Sequence, residues 1–197
     1  ILTHENQEIS LMGDIKGSKY KDLKISMKNV DLNQITPTDP QFVFNGNLNG
    51  VVNYKQNNAV FQPTASVQID SLNINKTHLG NLNFDIAGDE SFKKFALEAS
   101  IENENAKSFD VNGNFEIVDK KTILDLQLKL NKFNLGMLGS LGGEVLSNIR
   151  GLASGSASIV GNLQKPEING RLYLEDGGLT IPYLNVDYAL GNRAIID

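Results

Sequence analysis

The residues best equipped for chemistry in this sequence are two histidines, a handful of carboxylates and one short acidic-asparagine run. His4 and His78 are the only histidines among 197 residues, too few to supply both a Ser-His-Asp relay and a histidine metal site. His78 stands in the turn-like stretch Lys76 to Gly80, which predicts a solvent-facing ring. Glu98, Glu102, Asp110, Glu116 and Asp125 could furnish the paired carboxylates of acid–base hydrolysis. Each falls at the polar parity of an alternating segment, where a charge aids solubility and blunts edge pairing instead. Asp110, Asn112 and Asn114 look like the opening of a calcium loop. The twelfth position of that frame is Lys121, however, where the loop needs a bidentate glutamate. There is no G-x-S-x-G elbow, P-loop or dinucleotide fingerprint, and the glycines between 136 and 143 lack phosphate-cradling spacing. The absence of cysteine removes disulfides, thiolate metal sites and cysteine nucleophiles. The sequence therefore predicts no enzyme, no catalytic residue, no metal site and no cofactor.

The chain is long enough for one or two domains with a real core. Its formal net charge is -5, and its lysines and arginines are scattered along the sequence rather than clustered. That distribution argues against an electrostatic footprint for nucleic acid or an anionic membrane. A start at Ile1 without methionine and an end in an apolar run predict a segment of a larger protein.

The elements that would position any site are strands. Apolar residues recur at every second position, the mark of a strand with one buried face. After a weaker pair at Ile9 and Leu11, the pattern runs through Leu23, Ile25 and Met27. It then runs through residues 42–54, either one very long strand or two meeting at a glycine bend. Phe61 to Ile69, Leu82 to Ile86, Phe95 to Ile101, Phe109 to Ile117 and Leu124 to Leu130 continue it, separated by turns rich in Asn, Asp, Gly and Lys. Residues 133–150 break the pattern. Leu138, Leu141, Val145 and Ile149 follow helical spacing among four weakening glycines, so one short amphipathic helix or lid is expected near 135–150. This divides the chain into a first strand region (1–132), the insertion (133–150) and a second strand region (151–197). About ten one-sided strands with a single weak helix must close on themselves as a sandwich or barrel, or line an open trough. Periodicity alone leaves both open.

The stretch from Gly151 to Tyr188 carries the most specific signal. Gly161 and Gly170 interrupt the inward parity, which predicts bends, with a turn or sheet edge at Lys165 and Pro166. Gly151, Gly155, Gly161, Pro166, Gly170, Leu172 and Leu174, followed by Gly178, Leu179, Ile181, Pro182 and Tyr183, resemble the repeated G-x-L-x-x-P-x-I-x-G-x-L-x-L motif of the TamB family. That family belongs to the AsmA-like group of bacterial envelope proteins. The resemblance implies an all-β fold, a long, curved, mostly antiparallel sheet folded into an open apolar groove (a β-taco). It also implies a periplasmic location, an inner-membrane anchor outside this stretch, phospholipid as cargo and a TamA- or BamA-like outer-membrane assembly barrel as partner. No segment here aligns with the part of the family that engages the barrel.

On this reading the groove is lined by Phe42, Phe44, Leu48, Val52, Tyr54, Val67, Ile69, Phe84, Phe95, Leu97, Ile101, Phe109, Val111, Phe115, Ile117, Leu124, Leu126, Leu128, Leu130, Ile159, Leu163, Leu172, Leu174, Val186 and Tyr188. Tyr183 is expected beside them, with its hydroxyl at a rim. Aliphatic rows without a fixed polar anchor suit sliding acyl chains. The rival expectations are a chaperone-like module that accepts an outer-membrane protein strand, and an outer-membrane barrel, against which the low aromatic content of 7% argues.

Overall fold

The computed structural model describes the chain except residues 37–42, 59, 76, 90, 92, 104–105, 120, 141–146, 191–192 and 197, and the side chains of 60–62, 139–140 and 193–196. Thirteen strands follow one another: β1 (Leu2–His4), β2 (Gln7–Lys16), β3 (Tyr20–Asp31), β4 (Phe44–Asn57), β5 (Val60–Ile74), β6 (Thr77–Gly88), β7 (Lys94–Asn103), β8 (Ala106–Val118), β9 (Lys121–Asn134), β10 (Ser147–Asn162), β11 (Lys165–Ile181), β12 (Val186–Ala189) and β13 (Arg193–Ile196). All join one antiparallel sheet in the order of the sequence from β1 to β12, with β13 also pairing β11. Turn residues make this simple path possible. Asn58, Asn75 and Asp119 adopt left-handed φ of 56°, 57° and 47°, a conformation that short polar side chains tolerate and β-branched ones do not. β1 and β12 do not pair with each other, so the sheet is open.

Residues paired directly across antiparallel strands share a face. The register therefore carries the alternation of each strand into rows that cross the sheet. One row reads Leu11, Ile25, Val52, Ala65, Ile86, Leu97, Gly113, Leu126, Ile159, Ile168 from β2 to β11. Among the described residues no second sheet covers this apolar face, yet Val111 and Leu126 are each only 8% exposed. A flat single layer would leave them open to water, so the layer curves over its own apolar side. This is the folded-over sheet that the sequence predicts.

A second regularity sits near one end of the odd-numbered strands. Asn29, Ser71, Lys132 and Asp176 have φ of 48° to 54°, and the pairing register slips beside each of them. These are β-bulges. Each turns the two-residue apolar period into a step of three: Met27 to Val30, Ile69 to Leu72, Leu130 to Phe133, Leu174 to Gly177. Three of the bulges are held alike, by a side chain of the next strand. The N–H of Asn29 donates to Asn49 Oδ1, that of Ser71 to Asn81 Oδ1 and that of Lys132 to Ser154 Oγ, all at 2.9 Å. Asn81→Ala is expected to cost about 1 kcal/mol and Asn49→Ala, whose bond is half-buried, somewhat more. Urea denaturation would read this as a lower midpoint at unchanged m-value; unchanged midpoints would deny the bonds a role.

Past the bulges lies the best-buried cluster, in which Val30, at 2% exposure, joins Leu32, Leu48, Leu72, Ile74, Leu79, Ile101 and Phe133. Two short pieces cover it. The one-turn helix α1 (Leu32–Ile35) is capped by Asp31, whose carboxylate accepts the Asn33 N–H at 3.0 Å, and it inserts Leu32. The 3₁₀ turn Leu135–Ser140 adds Leu135 and Met137.

Several expectations need correction. Of the helix or lid expected near 135–150, the described part is this 3₁₀ turn over the cluster; Leu141 and Val145 lie outside the described residues, and Ile149 already belongs to β10. Residues 44–57 form one strand, and β2 is a full strand of 10 residues. Leu163 lies in the tight turn before β11 and Tyr183 in the 3₁₀ turn Pro182–Leu184, 57% and 93% exposed respectively, so neither lines the apolar face.

The last strands are tied on the polar face. Asp187 on β12 accepts both Arg150 Nη groups, at 2.9 and 2.7 Å, and the Thr180 hydroxyl at 2.7 Å. The Arg150 hydrogen bonds first, then that of Thr180, hold its carboxyl down at about 2. A depressed folded-state pKa contributes stability that is fully present above the unfolded value near 3.9 and lost as pH falls through about 2. Amide-exchange protection of Val186–Ala189 is therefore expected to hold at pH 5 and fall between about pH 4 and 2. Protection indifferent to acid, or lost by pH 6, would contradict this.

Candidate functional site

The apolar face is the candidate site. Register places on it Phe44, Leu48, Val52, Tyr54, Val67, Ile69, Phe84, Phe95, Leu97, Ile101, Phe109, Val111, Phe115, Leu124, Leu126, Leu128, Leu130, Ile159, Leu172 and Leu174. Ile117 closes the row at the end of β8, and Val186 and Tyr188 pair with Ile181 and Leu179 at the last strand, all more than a third exposed. Phe42 lies outside the described residues.

Burial divides this face into zones. Beyond the bulges it is closed by the covered cluster. In the middle rows Val52, Val67, Ile69, Phe84, Ile86, Leu97 and Leu128 remain half-buried. At the two flanks, Leu11 on β2 and Ile168 on β11 are 62% and 64% exposed. Two aromatic pairs stiffen the wall: Phe95 and Phe115 stack with ring centroids 4.7 Å apart, and Phe109 meets Phe133 at 5.5 Å. Inward glycines bring adjacent backbones close. A Cβ on Gly113 would stand 2.2 Å from the Asp125 carbonyl oxygen, and one on Gly155 2.2 Å from that of Arg171.

The residues that the sequence singled out for chemistry are on the other face or in turns. Glu98 pairs with Asn112, Asp110 with Ser100, Asp125 with Asn114 and Glu116 with Lys94. Glu98, Glu102 and Asp110 border an open hollow of about 690 Å³ on the polar side, whose charged lining is unsuited to hydrocarbon. His78 is exposed beside Asn73, with 3.2 Å between Nδ1 and Oδ1. No group of three His, Asp and Glu side chains converges among the described residues.

Sequence inspection missed two things. Val30, Leu72, Ile74, Leu79 and Phe133 were invisible to a strict two-residue period, although the three-residue step beside Asn29, Ser71 and Lys132 marks them. The second is the placement of charge. The meander brings alternate turns to one lip of the sheet, and lysines far apart in sequence line it. Lys16, Lys19 and Lys21 lie in or beside the turn before β3, Lys55 stands near the end of β4, Lys93 precedes β7 and Lys94 opens it, Lys121 opens β9 and Lys165 opens β11. Scatter in the chain is thus no measure of scatter on the surface.

Residues 2–174, from β1 to Leu174 of β11, match the family model described as "TamB, N-terminal domain". No curated protein and no solved structure matches the chain. An open, curved, one-faced antiparallel sheet and a family match over most of the sequence agree: the chain belongs to the TamB family of envelope proteins.

Proposed function

We infer that this chain is a periplasmic stretch of a TamB-like protein whose apolar trough carries phospholipid acyl chains between the inner and outer membranes, in support of outer-membrane assembly. The observation behind this reading is the continuity of the apolar rows across β2 to β11. Ten strands at about 4.8 Å give a path of roughly 45 Å, longer than the roughly 30 Å of a bilayer's hydrocarbon core. Along a strand, by contrast, polar turns cut off the apolar run. The path therefore crosses the strands, and the two rows of turns are its lips. Each CH₂ withdrawn from water onto such a surface contributes about 0.8 kcal/mol. The half-buried middle rows offer contact without a fixed polar anchor, which favours sliding over capture.

Native mass spectrometry of the purified chain is expected to detect bound phospholipid released by detergent. A chain that is lipid-free when purified, and stays so after incubation with phospholipid vesicles, would contradict the reading.

One observation favours a second reading, a module that guides outer-membrane barrel or autotransporter assembly. Among the described residues, the outer edge of β2 beyond β1 is unpaired from Ser10 to Lys16, and the outer edge of β11 is unpaired from Lys165 to Gly170. Free edges of this kind can template an added strand. This reading predicts peptide, not lipid, crosslinked to these segments.

A further inference from the structure

Among the described residues, lysines outnumber acids on the lip formed by the turns between β2 and β3, β4 and β5, β6 and β7, β8 and β9, and β10 and β11, and do not on the opposite lip. We propose that its lysines form a rail for phosphate, along which the headgroups of glycerophospholipids run while their acyl chains lie in the trough; the proposal rests on the lipid-carrying reading above.

Four observations support it. First, the charges are available. Lys19, Lys93, Lys94, Lys121 and Lys165 are exposed and make none of the ion pairs found among the described residues. Two of the acids nearby are occupied. Asp22 holds Lys55 at 3.4 Å. Asp89 accepts the Ser91 hydroxyl at 2.8 Å and the backbone N–H groups of Ser91, Lys93 and Lys94, so its carboxylate faces its own turn. Asp14, Asp119 and Glu167 remain in or beside the turns, and Glu116 stands opposite Lys94 without an ion pair, so the described lysines of this lip still outnumber its free acids.

Second, the lip is built and not loose. The Asn58 N–H donates to the Lys19 carbonyl at 2.7 Å, the Ile117 N–H to that of Lys93 at 2.7 Å and the Leu163 N–H to that of Thr122 at 2.9 Å. Gln56, buried just inside, donates to the Asn58 carbonyl at 3.0 Å. Third, the spacing suits the ligand. Turns two strands apart recur about every 10 Å, so neighbouring turns can hand on a headgroup. Fourth, aliphatic side chains lie immediately beside the lysines: Ile15, Ile117, Val118 and Leu163 are all more than a third exposed. A border of hydrocarbon and ammonium groups matches the glycerol level of a lipid, where chain meets phosphate. The other lip carries Lys28 and Lys132 beside the acids Glu5, Glu8 and Asp31, its Lys107 is tied to Asp110 at 3.1 Å and its Arg150 to Asp187 at 2.7 Å.

The test compares a fluorescent-acyl phosphatidylglycerol with a diacylglycerol of the same chains, titrated into the purified chain. Wild type is expected to retain the phosphatidylglycerol roughly tenfold or more tightly, since each lysine near an anionic headgroup is worth roughly fivefold. Reversing one lysine in each of four turns (Lys19→Glu, Lys93→Glu, Lys121→Glu, Lys165→Glu) should bring the two lipids to within about twofold while diacylglycerol binding persists. The matched reversal of Lys24, Lys28, Lys129 and Lys132, which changes net charge equally away from this lip, should keep the preference. Inorganic phosphate in large excess should leave phosphatidylglycerol bound. Equal retention by wild type, a preference surviving the lip reversal, loss of preference in both quadruple variants, or displacement by phosphate would each overturn the rail. Diacylglycerol binding without preference would leave the trough reading standing, whereas failure of both lipids to bind would overturn trough and rail together.

Discussion

Leu126→Asp is expected to unfold this protein's centre, not merely to obstruct its trough. Leu126 is 8% exposed and stands between Gly113 on β8 and Ile159 on β10. Removing its packed methyl groups costs about 3 kcal/mol, and a carboxylate at this depth finds no cationic partner in an apolar row, adding about 2 kcal/mol or more. In a chain of this size 5 kcal/mol lowers Tm by roughly 10 to 20 °C. The same substitution at Phe84, which is half-buried, leaves the carboxylate access to water and is expected to cost about half as much. Thermal denaturation of the two variants checks the order. An L126D protein as stable as wild type would mean that the floor of the trough is wet. To block acyl chains without disturbing the fold, a charge belongs in the half-buried middle rows.

Gly113→Val carries the second large effect. Gly113 has φ of 145°, a region open essentially to glycine alone, and a Cβ there would stand 2.2 Å from the Asp125 carbonyl oxygen and 2.9 Å from Leu126 Cα. Both obstacles are backbone, so a β-branched side chain must part β8 from β9. Backbone strain of about 2 kcal/mol and disrupted ladder bonds of about 1 kcal/mol each predict a loss of about 4 kcal/mol. Gly17 supplies the control. Its φ is 63° and nothing lies within 4 Å of a Cβ, so Gly17→Asn, a residue that tolerates this conformation, should stay within about 0.5 kcal/mol of wild type. Chemical denaturation of the pair is the measurement, and equal stabilities would show that β8 and β9 separate without cost.

The contrast between these glycines shows what was legible in the sequence. Gly113 interrupts an alternating run between Val111 and Phe115, so its inward position and its bend could be read directly. The approach to Asp125 could not, because it depends on the register of the next strand. Alternation likewise identified most residues of the apolar face, since a two-residue period is a local property. It failed where the chain changes period. Beside Asn29, Ser71 and Lys132 a bulge shifts the inward residue by one place, and Val30, Leu72 and Phe133 went unseen although they build the tightest cluster. Leu163 was assigned to the wall by parity, but a tight turn carries it out to the lip. The lysine lip was hidden for a related reason. Lys19, Lys93 and Lys165 share one lip only because the strands reverse direction in strict order, and linear spacing does not record that.

The central claim is that the apolar face is the path of acyl chains, and a photoreactive amino acid placed along one row tests it most directly. Introduced in cells at Phe84 or Ile86, on the inward face, and at Asp85, between them on the outward face, it samples both sides of one strand. The account predicts phospholipid adducts at Phe84 and Ile86 and none at Asp85. Peptide adducts at the inward positions, or lipid captured equally at all three, would contradict it.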